Sequence, residues 1–154
     1  PVGEQSSRGL ELAATWLMTN NLRLSGNWAL VDAKYDKFVE NVGGVGVSRA
    51  GNRPTNIPKQ VGNLWVAYTP IANLEVGGDL RYVSSRYADT ANTVYDDAYT
   101  LLGAYAAYTF DKRTRVTARI KNLTDKVYAE SFSGSSMMYL GAPRMLDVSI
   151  QTAF

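Results

Sequence analysis

Asp96 and Asp97 are the nearest approach in this chain to a paired-carboxylate site. Two acids that share a proton must converge on one point, whereas neighbours in an extended segment project to opposite faces. They read instead as loop or strand-start residues. The chain contains no histidine and no cysteine, so imidazole bases, thiolate nucleophiles, disulfides and the commonest metal ligand are all missing. We therefore expect no enzyme, no metal site and no cofactor. Gly43-Gly44-Val45-Gly46 is rich in glycine but lacks the strand-to-helix setting of a phosphate-binding loop. Asn122-Leu123-Thr124 matches a glycosylation sequon only formally. The formal net charge is +2, with the basic residues scattered, and no nucleic-acid partner is expected.

What remains must act through its scaffold. A length of 154 residues suits one domain, and a composition 45% hydrophobic and 19% charged suits an ordinary globular protein. No apolar run approaches the roughly 20 residues of a helical membrane span. A spanning strand needs only about 9 to 11 residues, half of which are free to be polar, so the modest hydropathy is compatible with a transmembrane β-barrel. Ten tyrosines, three tryptophans and four phenylalanines fit that reading.

Seven segments alternate with a period of two. They lie at about Arg8 to Leu17, Leu22 to Ala33, Lys59 to Thr69, Asn73 to Val83, Asp97 to Phe110, Thr114 to Asn122 and Leu146 to Phe154. The fourth is the clearest, with Leu74, Val76, Gly78, Leu80 and Tyr82 opposite Glu75, Gly77, Asp79 and Arg81. In the third and fifth, Val61, Trp65, Ala67, Leu101, Gly103 and Tyr105 blur the polar side and leave the assignment of faces open.

Connection length alternates as well. Tight turns are expected near Met18 to Asn21, Pro70 to Ala72 and Asp111 to Arg113, and long loops over 34–58, 84–96 and 123–142. Short turns on one rim and long loops on the other are the layout of outer-membrane barrels, the short side periplasmic. Arg23, Glu75, Asp79, Arg81, Arg119, Lys121 and Asp147 all fall in the register that would face the lumen. Trp16, Tyr68, Tyr108 and Phe110 stand near the short turns, where an aromatic girdle is expected. The other reading of these aromatics is the core of a soluble β-domain.

Three motifs, in this order, resemble the C-terminal part of TonB-dependent outer-membrane receptors, especially those for ferric siderophores. Ser7-Arg8-Gly9-Leu10-Glu11 is similar to the start of a late barrel strand in that family, and Lys121-Asn122-Leu123-Thr124-Asp125-Lys126-Val127-Tyr128 to the segment after the penultimate strand. Gly141-Ala142-Pro143-Arg144, an alternating strand and a terminal Phe154 resemble the family's ending. Asn56-Ile57-Pro58 is a weaker echo, without the histidine that often follows in the family.

The resemblance implies an all-β, antiparallel up-and-down transmembrane barrel of about 22 strands, of which residues 1–154 supply about the last seven. The N-terminal plug, TonB box and signal peptide are expected to lie outside this chain, which starts at Pro1 and looks cut from a longer precursor. It further implies uptake of a ferric siderophore, or another scarce nutrient, across the outer membrane of a Gram-negative bacterium. TonB, outer-membrane lipid and the barrel-assembly machinery would be the partners, with Phe154 as the assembly signal. Ligand contacts are expected from loop or upper-lumen Arg49, Arg53, Arg86, Tyr87, Tyr95 and Tyr139, by charge-assisted hydrogen bonds or stacking. Asn122 and Asp125 are expected to punctuate the backbone. A passive pore, an adhesin barrel and a soluble β-rich binding domain are the alternatives.

Overall fold

A computed structural model describes residues 3–111, 113–134 and 136–153. Its strands are β1 (Glu4–Thr19), β2 (Leu22–Lys37), β3 (Val39–Val42), β4 (Val45–Ser48), β5 (Gln60–Ile71), β6 (Leu74–Val83), β7 (Arg86–Tyr87), β8 (Tyr95–Asp96), β9 (Tyr99–Thr109), β10 (Thr114–Lys121), β11 (Ala129–Ser133), β12 (Met137–Leu140) and β13 (Met145–Thr152). Seven form one antiparallel sheet in the order β1-β2-β5-β6-β9-β10-β13, and three hairpins, β3-β4, β7-β8 and β11-β12, stand apart from it.

The sheet is an up-and-down meander because each wall strand pairs with the next wall strand in the chain. Tight connections close one rim. Asn20 and Asn21 turn β1 into β2, with the Thr19 hydroxyl donating to Asn21 Oδ1 at 2.6 Å. Asp111 Oδ1 accepts the N–H groups of Arg113 and Thr114, each at 2.7 Å, between β9 and β10. The turn expected at Pro70 falls slightly later, because β5 runs to Ile71 through a register shift after Tyr68. Proline lacks a ladder donor and is accommodated at such an irregularity.

The other rim carries the three hairpins, one in each long connection. Alternation does not announce them, since each of their strands has only two to five residues. The first two wall strands also overrun their expected ends. Gln5, Ser6 and Ser7 pair with Tyr35, Lys34 and Ala33, and such polar pairs sustain a ladder without displaying an apolar face. At 16 residues each, β1 and β2 exceed the 9 to 11 or so that cross a bilayer.

Register resolves the two ambiguous faces. Ala14, Gly26, Leu64, Leu80 and Leu102 form one continuous cross-strand row, and Trp16, Leu24, Val66, Gly78, Ala104, Ile120 and Leu146 form the next. Thr15, Ser25, Trp65, Asp79 and Gly103 make a row on the opposite face. The even-numbered face of β5 and β9 is therefore apolar, and Trp65, Leu101 and Tyr105 belong to the polar side.

Burial is inverted relative to a soluble domain. Leu12, Trp16, Leu146 and Ile150 on the apolar face are more than 60% exposed, and no large side chain among the described residues is fully buried. A two-layer fold would have covered this face with a second layer. The small buried set, Ala33, Tyr35, Val83, Ala88, Tyr99, Ala107 and Ala129, gathers mainly toward the hairpin rim. Trp28 lies across Gly62, where any side chain would collide with the indole, and stacks on Tyr82 at 5.6 Å. Tyr108 and Phe110 meet edge to face at 4.8 Å beside the tight turns, as expected for a girdle. Phe154, the expected assembly signal, lies outside the described residues.

Candidate functional site

The three long connections are tied into one layer by side-chain amides reaching for backbone. Asn56 Nδ2 donates to Phe132 O, and Phe132 N–H donates to Asn56 Oδ1, both at 2.8 Å. Asn92 embraces Arg53 in the same way, accepting its N–H at 2.8 Å and donating to its carbonyl at 2.9 Å. Asn52 Nδ2 donates to Thr90 O at 2.8 Å. Asn56 and Asn92 hold left-handed backbone, φ 62 and 59, which asparagine tolerates better than most side chains. Each amide satisfies both a donor and an acceptor of another segment. Of these residues the sequence singled out only Asn56, in the Asn56-Ile57-Pro58 echo and without this role, while Asn52 and Asn92 had no signal beyond being loop asparagines.

Arginines reinforce the layer. Arg86 is 7% exposed. Its Nη2 donates to Ala129 O at 2.5 Å and lies 3.7 Å from Asp96 Oδ2. Its guanidinium sits 5.8 Å from the Tyr99 ring and 5.9 Å from the Phe132 ring. Arg53, 8% exposed, donates from Nη2 to Val31 O at 2.9 Å and lies 3.5 Å from Asp32. Arg53 Nη1 and Arg86 Nε are buried without a partner among the described residues. Arg49 pairs with Glu40 at 2.8 Å, which holds that carboxyl below its ordinary range. Burial pushes the Asp89 carboxyl up, but the Thr93 hydroxyl and the N–H groups of Thr93 and Val94 outweigh it and leave the group lowered.

Four of the six expected ligand residues converge. Arg53, Arg86, Tyr87 and Tyr95, with Lys59 and Ser85, line a cavity of about 260 Å³ at the hairpin rim. Tyr87 and Tyr95 face each other across β7 and β8. Arg49 is drawn into the β3-β4 hairpin, and Tyr139 stands on β12, 52% exposed and opposite Ser131. Tyr95 is 64% exposed. Tyr95 and Tyr139 are thus exposed and Tyr87 half-buried, while the three arginines each have a protein partner.

Asn122 and Asp125 act on backbone. Asn122 donates to Lys126 O and Ala142 O and accepts the Lys126 N–H, and Asp125 accepts the Arg144 N–H at 2.8 Å. This clamp sets the path into β13, with the Tyr128 ring seated against Gly141, where there is no room for a side chain. On the polar face of the sheet, Glu75 accepts from the Tyr105 hydroxyl at 3.1 Å and from Arg115 at 2.9 Å, and Arg119 lies 5.3 Å from the Tyr105 ring. No group of three or more acidic residues is placed to hold a metal among the described residues.

Residues 1–123 match the family model described as TonB dependent receptor-like, beta-barrel. The ferrioxamine receptor of Yersinia enterocolitica is 28% identical across 97% of this chain and 21% of its own length. The ferrichrome outer membrane transporter/phage receptor of Escherichia coli K12 is 28% identical across 94% of this chain and 19% of its own. The solved siderophore receptor PiuA from Acinetobacter baumannii superposes with a TM-score of 0.81 at 26% identity, over 96% of this chain and 21% of that one. The chain thus spans about a fifth of the length of these relatives. With an antiparallel meander, an exposed apolar face and alternating connection lengths, the chain belongs to the TonB-dependent receptor β-barrel family.

Proposed function

We propose that this chain is wall and loop structure of an outer-membrane receptor that takes up ferric siderophores with energy delivered through TonB. The observation that carries the reading is that nearly the whole chain aligns with receptors named for ferrioxamine and ferrichrome. The relatives are named as receptors and transporters, and the chain carries no histidine or cysteine. In this reading the tight turns face the periplasm, the hairpins face outward, the apolar face meets lipid and the polar face lines the lumen. A plug domain and TonB box belong to the remainder of the receptor, and Phe154 serves recognition by the barrel-assembly machinery.

Tyr87, Tyr95 and Tyr139 offer the ligand stacking surface and hydroxyls, while Arg49, Arg53 and Arg86 fix the layer that presents them and lend it positive potential. The test is uptake of radioiron-labelled ferrioxamine and ferrichrome by cells with and without the complete receptor. Receptor-dependent uptake that stops when a protonophore collapses the proton-motive force is expected. Uptake that persists under the protonophore identifies a passive pore, and its absence for every siderophore tried removes the cargo assignment.

A further inference from the structure

No acidic residue lines the cavity formed by Arg53, Lys59, Ser85, Arg86, Tyr87 and Tyr95. Three of these residues are cationic and the other three carry hydroxyls. Arg53 donates to Val31 O and Arg86 to Ala129 O, and a carbonyl fixes a guanidinium while leaving its charge intact. The carboxylates paired with them stand outside the lining. Asp32, 3.5 Å from Arg53, has a side chain 73% exposed to solvent, and Asp96 lies 3.7 Å from Arg86, beyond hydrogen-bond length. Arg53 Nη1 and Arg86 Nε have no acceptor among the described residues. Lys59 is exposed and makes no ion pair among the described residues.

Both guanidinium groups are more than nine-tenths buried, and a buried charge with partial compensation is costly. In a recess with protein walls their field is focused and draws an anion. The volume, about 260 Å³, is below the roughly 300 to 1,000 Å³ of pockets that enclose a drug-sized ligand. It therefore admits one arm of a ferric complex and not the whole complex. The anionic oxygens of that arm must be free to accept from ammonium and hydroxyl donors. Catecholate and hydroxamate oxygens are engaged by the iron, whereas a carboxylate left off the metal presents both of its oxygens.

We propose, resting on the siderophore-uptake reading above, that this cavity selects ferric complexes bearing an uncoordinated carboxylate. Lys59 and the hydroxyls of Ser85, Tyr87 and Tyr95 receive the carboxylate, and Arg53 and Arg86 supply the field that holds it. Charge-assisted hydrogen bonds of this kind are the stronger ones. A complex that carries a protonated amine on the same arm meets three like charges and is disfavoured.

The test uses three ferric trihydroxamates built on one core. They are ferrioxamine B with its free amine, the same compound succinylated on that amine so that the arm ends in a carboxylate, and the primary amide of the succinyl arm, which keeps the length without the charge. Calorimetric titration of the complete receptor in detergent is expected to give about tenfold tighter binding of the carboxylate than of the amide, with the amine weakest. Lys59→Gln is expected to narrow the carboxylate-to-amide ratio to about threefold, and Lys59→Arg to restore it. Because the core is shared, damage to the fold weakens all three alike and leaves the ratio unchanged. Equal affinity for carboxylate and amide, or a ratio that Lys59→Gln leaves untouched while Kd for the amide is also unchanged, overturns the proposal. A receptor that imports ferric siderophore under proton-motive force without this preference loses the carboxylate alone. One that binds none of the three and imports no ferric siderophore loses the uptake reading and the carboxylate with it.

Discussion

Asn56 and Glu40 show two ways in which a single side chain orders the outer layer. Asn56 joins the first long connection to the third through two hydrogen bonds to the Phe132 backbone. Asn56→Ala leaves that N–H and carbonyl to find other partners, with an expected cost of about 1 to 3 kcal/mol. Hydrogen exchange read by mass spectrometry is expected to quicken at 129–133 and stay unchanged in β6. Glu40 closes the β3-β4 hairpin by accepting from Arg49. Its carboxyl is held below the ordinary 4.5, so its contribution is complete above that value and is lost as pH falls through the lowered one. Loosening of the hairpin as pH falls below the ordinary 4.5 and through the lowered value is expected from this pair, followed by proteolysis with an acid protease, and Glu40→Gln is expected to flatten the dependence. Both residues sit in stretches without periodicity, and their roles were not legible from sequence. Long-range amide-to-backbone bonds depend on where loops meet, which no local pattern encodes.

The wall strands were legible because a strand with one apolar and one polar face obeys the period of two. All seven appear in the structure within a few residues of their expected ends, except where polar pairs extend β1 and β2. Trp65 and Tyr105 show where pattern failed. An aromatic side chain fits either face of a barrel wall, and only register with Asp79 and Arg119 assigns them to the polar one. The face assignment predicts unequal tolerance. Leu64→Arg, on the apolar row, is expected to cost about 2 to 4 kcal/mol. Asn63→Arg, one residue away in the row of Asn27 and Arg81, is expected to change stability by less than about 1 kcal/mol. Denaturant titration of the complete receptor folded into bilayers measures both, and equal costs would argue against two distinct faces. The hairpins β3-β4, β7-β8 and β11-β12 escaped notice because two to five residues per strand carry too little alternation to stand out from loop composition.

As a whole the molecule is an open wall. Among the described residues β1 pairs within the sheet only with β2, and β13 only with β10, so both edge strands are unpaired on one side while one broad face is apolar. Unpaired edges recruit other chains, and the isolated 154-residue piece is expected to aggregate without detergent. Light scattering that finds a well-behaved monomer in plain buffer would contradict this. The central claim is that one face meets lipid and the other the lumen, and the absence of native cysteine makes it directly measurable. Single cysteines placed one at a time from Leu74 to Val83 in the complete receptor, within outer-membrane vesicles, are labelled with a nitroxide and their accessibility to oxygen and to a water-soluble nickel complex is compared. Even positions are expected to favour oxygen and odd positions the nickel complex, in strict alternation along β6. A profile without alternation, or with the two faces exchanged, would contradict the account.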